Sequence, residues 1–172
     1  MDNKIRNPED SEVQQLIKTL GSKNGMDRKK AREKLVAKGE NMIDFLMELL
    51  NHPKHIYRWE ALKTMEEIGN PISIPLFIQA FEDDESDIRW IAAEGLIRLG
   101  NQSIKPLLKA LLEKSDAIFV LAGAHHVFYE LKKAEKLPTG FPIDKLLSAI
   151  KNPGWAESVK LLAYDLLNNL EF

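Results

Sequence analysis

The residues of this 172-residue chain best suited to chemistry are its four histidines. His125 and His126 are neighbours in a segment with helical periodicity, so their rings point about 100° apart and cannot readily share one metal ion. His52 and His55 flank a proline-containing turn and have no carboxylate close to them in sequence. Because a zinc or iron site needs three or four converging ligands, we predict no metal site and no cofactor.

The acidic residues give little further indication of metal binding or catalysis. Residues 82–87 read Glu-Asp-Asp-Glu-Ser-Asp, but they lack the glycine and the twelfth-position glutamate of a calcium-binding loop. A solvated turn is therefore the favoured interpretation. Glu94, His126 and Tyr129 are the one combination that points faintly to chemistry. No glycine-rich phosphate loop and no GxSxG or HExxH motif occurs, so we assign no catalytic residue.

Composition narrows the class of protein further. The chain is 44% hydrophobic and 29% charged, has a net charge of -2 and contains no cysteine. Such a balance gives no overall attraction to nucleic acid or to an anionic membrane, and disulfides and thiolate nucleophiles are excluded. The N-terminus lacks the apolar stretch of a signal peptide, and no segment approaches the ~20 apolar residues of a membrane span. We expect a cytoplasmic protein with no membrane association.

Two interleaved patterns of apolar residues predict the helices that position these histidines and carboxylates. Segments with apolar residues at i, i+3, i+4 and i+7 start at Val13, Ile43, Ile74, Ile104 and Ile143. A small anchor, followed by larger apolar residues four and seven positions later, recurs at Ala31, Ala61, Ala92, Ala124 and Ala163. Because both patterns share a period of about 30 residues, with one longer final step, they predict tandem helix pairs.

Turn signals agree with this period. Gly39, Gly69 and Gly100 each follow a second helix, where a left-handed C-terminal cap favours glycine. Pro75 and Pro106 are expected in the first turns of their helices, where the missing N–H costs little. An insertion of about eight residues near 134–140 accounts for the longer last step, and we interpret it as a surface loop.

Residues 57–62 through Gly69, and residues 87–94 through Gly100, resemble the second helix of a HEAT repeat. The nearest subtype is the short HEAT-like repeat of the phycobilisome lyase type. The resemblance implies an all-α, right-handed α-α superhelix of about five helix pairs and ten helices. We expect a single domain over residues 1–172, with repeats at approximately 10–38, 41–69, 72–100, 103–133 and 142–172.

Similar repeats occur in scaffolds, bilin lyase subunits, a deoxyhypusine hydroxylase and DNA alkylation-repair glycosylases. The hydroxylases place His-Glu pairs after the repeat arginine, but Trp59-Glu60 and Trp90-Ile91 stand here, so their metal centre is not implied. The glycosylases need a basic concave face, whereas residues 41–100 carry 5 Lys and Arg against 11 Asp and Glu. Nucleic acid is therefore not an expected partner, although the basic cluster at residues 28–34 keeps that alternative open.

In HEAT-like proteins the second helices line the concave side. A helical wheel with the alanine anchors turned inward predicts a partner-binding groove. Its residues are Trp59, Lys63, Glu66, Trp90, Glu94, Ile97, His126 and Tyr129. Rigid aromatic side chains are favoured interface anchors, and Glu66 and Glu94 favour a basic protein or peptide. In the alternative interpretation, the Trp rings cover gaps between helices.

The last helix is predicted to be apolar on nearly every side, which is unusual for a terminal repeat. Leu161, Leu162 and Phe172 could then contact a second subunit and form a homo-oligomer. Alternatively, Trp155 and the insertion loop wedge this helix in place. Taken together, the sequence favours a non-catalytic interaction module or scaffold. The alternatives are a lyase-like accessory enzyme of the bilin lyase type and a DNA-binding, repair-type protein.

Overall fold

The computed structural model describes residues 8–152 and 156–169, which form two compact units, Met1–Ile68 and Gly69–Phe172. Unit 1 contains α1 (Pro8–Thr19), α2 (Gly25–Lys38), α3 (Ile43–Met47) and α4 (His55–Ile68). Unit 2 contains α5 (Ile74–Ala80), α6 (Ser86–Leu99), α7 (Asn101–Glu113), α8 (Ile118–Lys133), α9 (Ile143–Lys151) and α10 (Ala156–Asn169). The predicted all-α fold of tandem helix pairs is confirmed. No helix within the described ranges is both long and apolar enough to span a membrane.

The core of unit 1 forms where α2 packs against α1 and α4. The small anchors Ala31 and Ala61 are both buried, as their pattern predicts. The apolar spacing from Ile43 predicts one continuous α-helix as the first helix of the second pair. In the structure, short 3-10 turns at Gly39–Met42 and Glu48–Asn51 flank α3 instead. Three residues per turn move the apolar face, so Leu49 is buried and Met47 is 46% exposed.

A buried carboxylate connects α2 to α4 within unit 1. Glu60 is 2% exposed and accepts hydrogen bonds from Arg28 Nε at 2.9 Å and from Arg32 Nη1 at 2.5 Å. Arg32 Nε also donates to Glu67 at 3.0 Å. A buried charge needs such partners to offset its lost hydration. Two guanidinium groups of the basic cluster therefore serve packing, which weakens the case for nucleic-acid binding by these helices.

One arginine position recurs through the first three helix pairs. The Nη1 atoms of Arg28, Arg58 and Arg89 donate to carbonyl oxygens six residues earlier, at 2.9, 2.9 and 2.6 Å. These acceptors lie in the turn between the two helices of each pair, where backbone carbonyls lack helical partners. The arginine therefore holds each turn against the second helix of its own pair.

The fourth and fifth helix pairs of the chain both lie in unit 2. The two helices of the fifth pair take the opposite places in the packing from those of the fourth. In the fourth pair, α7 packs against α5 and α8 packs against α6. In the fifth pair, α9 packs against α8, and α10 packs against α7 and α9. The inserted segment, with left-handed residues Glu135 (φ 55°) and Gly140 (φ 78°), connects α8 to α9. As a result, α9 rather than α10 continues the row that α6 and α8 begin.

The predicted helix-end signals have mixed outcomes. Gly39, Gly69 and Gly100 adopt positive φ values of 73°, 67° and 61°, which favour glycine, but ψ is -151° at Gly39 and -129° at Gly100, outside the left-handed helical region of the predicted caps. Pro75 lies at the start of α5, as predicted. Pro106 lies inside α7, so its predicted place in the first turn is wrong. The helix begins earlier than the apolar pattern indicates, because polar residues 101–103 also adopt helical geometry.

Two aromatic rings in unit 2 pack directly on glycine. A Cβ built at Gly95 would lie 2.4 Å from the Phe77 ring, and one at Gly123 would lie 2.5 Å from the Phe81 ring. Both rings are fully buried and cannot swing into solvent. Glycine is therefore required at both positions by packing, since neither has a positive φ.

We expect Gly123→Ala to lower the free energy of unfolding by about 1–3 kcal/mol, because the added methyl group overpacks the Phe81 site. Gly25→Ala is the matched control, since its Cβ would meet only Arg28 Nη2 at 3.6 Å. That variant should be neutral or slightly stabilising. Urea unfolding checks both, and equal stability of the two variants would contradict the packing argument.

Candidate functional site

Unit 1 contributes three of the predicted groove residues, all on α4. Trp59 is half-buried, and the Arg32 guanidinium carbon lies 6.0 Å from its ring centroid. Lys63 Nζ lies 2.5 Å from Glu66 Oε2, and Glu66 is only 9% exposed. The carboxylate of Glu66 is therefore neutralised within its own helix and offers little attraction to a basic partner.

Unit 2 brings together the predicted residues of α6 and α8. Trp90 is 57% exposed, and its ring centroid lies 4.6 Å from that of His126. His126 Nε2 lies 3.4 Å from Glu94 Oε1. The spacing of 32 residues between Glu94 and His126 equals that between the buried anchors Ala92 and Ala124. The two helices therefore present equivalent positions side by side.

Tyr129 extends this surface along α8. It is 50% exposed, and its ring stacks on His125 with the centroids 6.4 Å apart and the planes 11° apart. Ile97 on α6 is half-buried. We call Trp90, Glu94, Ile97, His126 and Tyr129 the aromatic strip. The strip offers flat rings and one carboxylate–imidazole pair, which suits binding better than bond-making chemistry.

Metal binding is not supported at the strip. Among the described residues, no three side chains of His, Asp or Glu converge closely enough to hold an ion. Glu94 and His126 alone provide two groups, fewer than a stable site needs.

Two exposed residues at the start of α8 escaped the sequence analysis. Ile118 is 75% exposed and Phe119 is 49% exposed. The Arg89 guanidinium carbon lies 4.0 Å from the Phe119 ring centroid. A helical wheel extended to the start of α8 could have found Ile118, because Ile118 precedes the outward positions Ala122 and His126 by about one and two helical turns.

The last helix differs from its predicted role. Leu162 is 7% exposed and belongs to the core with Val159 and Leu166, so its side chain is not presented to a second subunit. Leu161 and Tyr164 are 58% and 56% exposed. Phe172 and Trp155 lie outside the described residues. A cleft of about 390 Å³ between α9 and α10 is lined by both polar and apolar residues, among them Leu161 and Leu162.

His125 carries a buried polar atom. Its Nε2 has no hydrogen-bond partner in the part of the chain that the structure describes. Burial lowers the pKa of His125, and the nearby charges of Lys151 and His126 lower it further. The lowered pKa favours the neutral imidazole, whose ring stacks on that of Tyr129.

The comparisons with known proteins agree with this architecture. A sequence profile of HEAT repeats matches residues 5–94 and again residues 43–127. Because these matches span more than half of its length, the chain belongs to the HEAT repeat family. No curated protein sequence is significantly similar to it.

Among solved structures, the chain is similar to the complex of CpcE and CpcF of phycocyanin lyase from Nostoc sp. PCC7120. The TM-score is 0.61 at 22% sequence identity, and the match covers 90% of this chain and 98% of that chain. At this identity the likeness supports the fold alone, and the predicted resemblance to HEAT repeats is confirmed by the profile match.

Acidification should destabilise the fold through His125. Its folded-state pKa lies below the unfolded value, so the unfolded chain gains a proton first as the pH falls below about 6.5. The free energy of unfolding should therefore fall between about pH 7.5 and about pH 5.5, and it should fall less in His125→Phe. Urea unfolding at both pH values checks this, and an identical pH dependence of the two proteins would contradict it.

Proposed function

We propose that the chain is a non-catalytic interaction module, a cytoplasmic scaffold that binds a protein or peptide through its aromatic strip. The observation that carries this proposal is the exposure of Trp90 and Tyr129 beside His126, on helices whose other large apolar side chains are mostly buried. Large rigid rings lose little conformational entropy on binding and are frequent binding hot spots. Membership of the HEAT repeat family supports an interaction role, because stacked helix pairs present extended binding surfaces.

Glu94 supports a preference for a basic partner. Its carboxylate lies within the strip, with Oε1 3.4 Å from Nε2 of His126. A lysine or arginine of the partner would pair with Glu94 while its aliphatic stem packs on Trp90. On unit 1, we retain Trp59, Lys63 and Glu66 as a separate candidate contact surface on α4.

A lyase-like accessory role is the second candidate. It is favoured by the Glu94–His126 pair beside Trp90 and by the similarity to the CpcE and CpcF complex of phycocyanin lyase. Glu94→Gln and His126→Asn keep the shape of the strip and remove its acid–base groups. If these variants retain every partner but lose a lyase-type reaction, the chemistry belongs to the pair and the second candidate replaces the first.

The direct test is capture from native lysate with the immobilised full chain. Trp90→Ala should lower recovery of a specific partner by about tenfold or more, because truncating a central aromatic removes a hot spot. Tyr164→Ala is the matched control, since Tyr164 is equally exposed in the same unit but lies on α10. Trp59→Ala, measured in parallel, shows whether α4 contributes.

The proposal fails if wild type, Trp90→Ala and Tyr164→Ala retain the same proteins in equal amounts. Circular dichroism of each variant ensures that a loss of binding is not a loss of folding.

A further inference from the structure

An exposed apolar pair lies at the start of α8, outside the aromatic strip. Ile118 and Phe119 are exposed, whereas the next two residues, Val120 and Leu121, are buried. The helix could have begun with polar residues at no expense to its core. Two adjacent large apolar side chains in one exposed turn are unusual enough to indicate a contact surface.

Arg89 fixes the orientation of this surface. Its Nη1 atom donates to the carbonyl oxygens of Asp83 at 2.6 Å and of Asp84 at 2.9 Å, while its guanidinium lies over Phe119. One side chain thus places the acidic turn of residues 82–87 next to the Phe119 ring. Because one ring face is covered by Arg89, the remainder of the ring is available to a partner.

The charge around this apolar pair is negative. Asp84, Glu85 and Asp116 are all exposed in the turns that precede α6 and α8. Lys114 already pairs with Glu82, and the guanidinium of Arg89, which lies over Phe119, is outnumbered by these three carboxylates.

We propose that Ile118 and Phe119, with Asp84, Glu85 and Asp116, form a second docking site, the acidic patch. Its occupant is a basic apolar segment of a partner protein. A leucine, isoleucine or phenylalanine of that segment contacts Phe119, and flanking lysines or arginines pair with the carboxylates. The inference rests on the proposed function, because it defines where and by what chemistry the same partner is held.

Other occupants fit the patch less well. A nucleic acid or an anionic membrane would be repelled by three exposed carboxylates. A metal ion would make no use of Ile118 and Phe119, and no ligand cluster occurs among the described residues. A basic peptide with apolar side chains complements both the exposed apolar pair and the negative charge.

A phage-displayed library of random peptides, selected against the full chain, tests this without knowledge of the partner. We expect the enriched peptides to combine a large apolar residue with flanking lysine or arginine. Fluorescence anisotropy with one such synthetic peptide should show affinity that weakens as NaCl is raised, because salt screens exposed charges.

Two variants separate the two components of the patch. Phe119→Ser removes the ring, and the double variant Asp84→Lys/Glu85→Lys reverses the charge. Each should weaken peptide binding by about tenfold or more. The control Glu157→Lys/Asp165→Lys makes the same change in net charge at exposed positions of α10 and should bind normally.

Equal weakening by the α10 control would mean that binding follows net charge alone, and it would overturn the acidic patch. The acidic patch would also be overturned if the enriched peptides bound both patch variants as tightly as wild type but failed to bind Trp90→Ala. In that case the proposed function would stand. Failure to enrich any peptide would overturn both.

Discussion

The close approach of α6 and α8 is the constraint on which the candidate site depends. The small anchors Ala92 of α6 and Ala124 of α8 are fully buried, and Gly123 of α8 leaves room for the Phe81 ring at the end of α5. Helices that pack this closely present equivalent outer positions at the same level. Trp90, Glu94 and His126 therefore meet as a consequence of the core, and the aromatic strip needs no loop to assemble it. A rigid surface of this kind loses little entropy when a partner binds.

Equivalent repeat positions need not have equivalent roles. Trp59 and Trp90 occupy the same position in successive pairs, yet Trp59 is half-buried near Arg32, whereas Trp90 is mostly exposed beside His126. Their neighbours explain the contrast. In unit 1, Arg32 is held by Glu60 and Glu67 and provides a fixed platform for the ring. In unit 2, the Trp90 ring lies against the imidazole of His126, with the ring centroids 4.6 Å apart, and remains 57% exposed.

Much of the fold could be predicted from the sequence, because it follows from periodic, local signals. The anchors, the glycines with positive φ at helix ends and the pairing of helices are of this kind, and so is the meeting of Glu94 with His126. The reversed fifth pair could not be predicted, because the pattern of α10 matches a second helix and does not specify its neighbour. Arg89 over Phe119 was also missed, since it depends on side-chain reach between helices. Likewise, the burial of Leu162 follows from the position of α10 against α7.

The account claims that Trp90 is exposed for binding and contributes little to folding. Its most direct test is the free energy of unfolding of Trp90→Ala, measured in urea beside Leu96→Ala as a reference for the fully buried core of the same helix. We predict a loss of less than about 1 kcal/mol for Trp90→Ala and of about 2–5 kcal/mol for Leu96→Ala. A loss for Trp90→Ala as large as that for Leu96→Ala would contradict the account, because it would make the ring a packing residue.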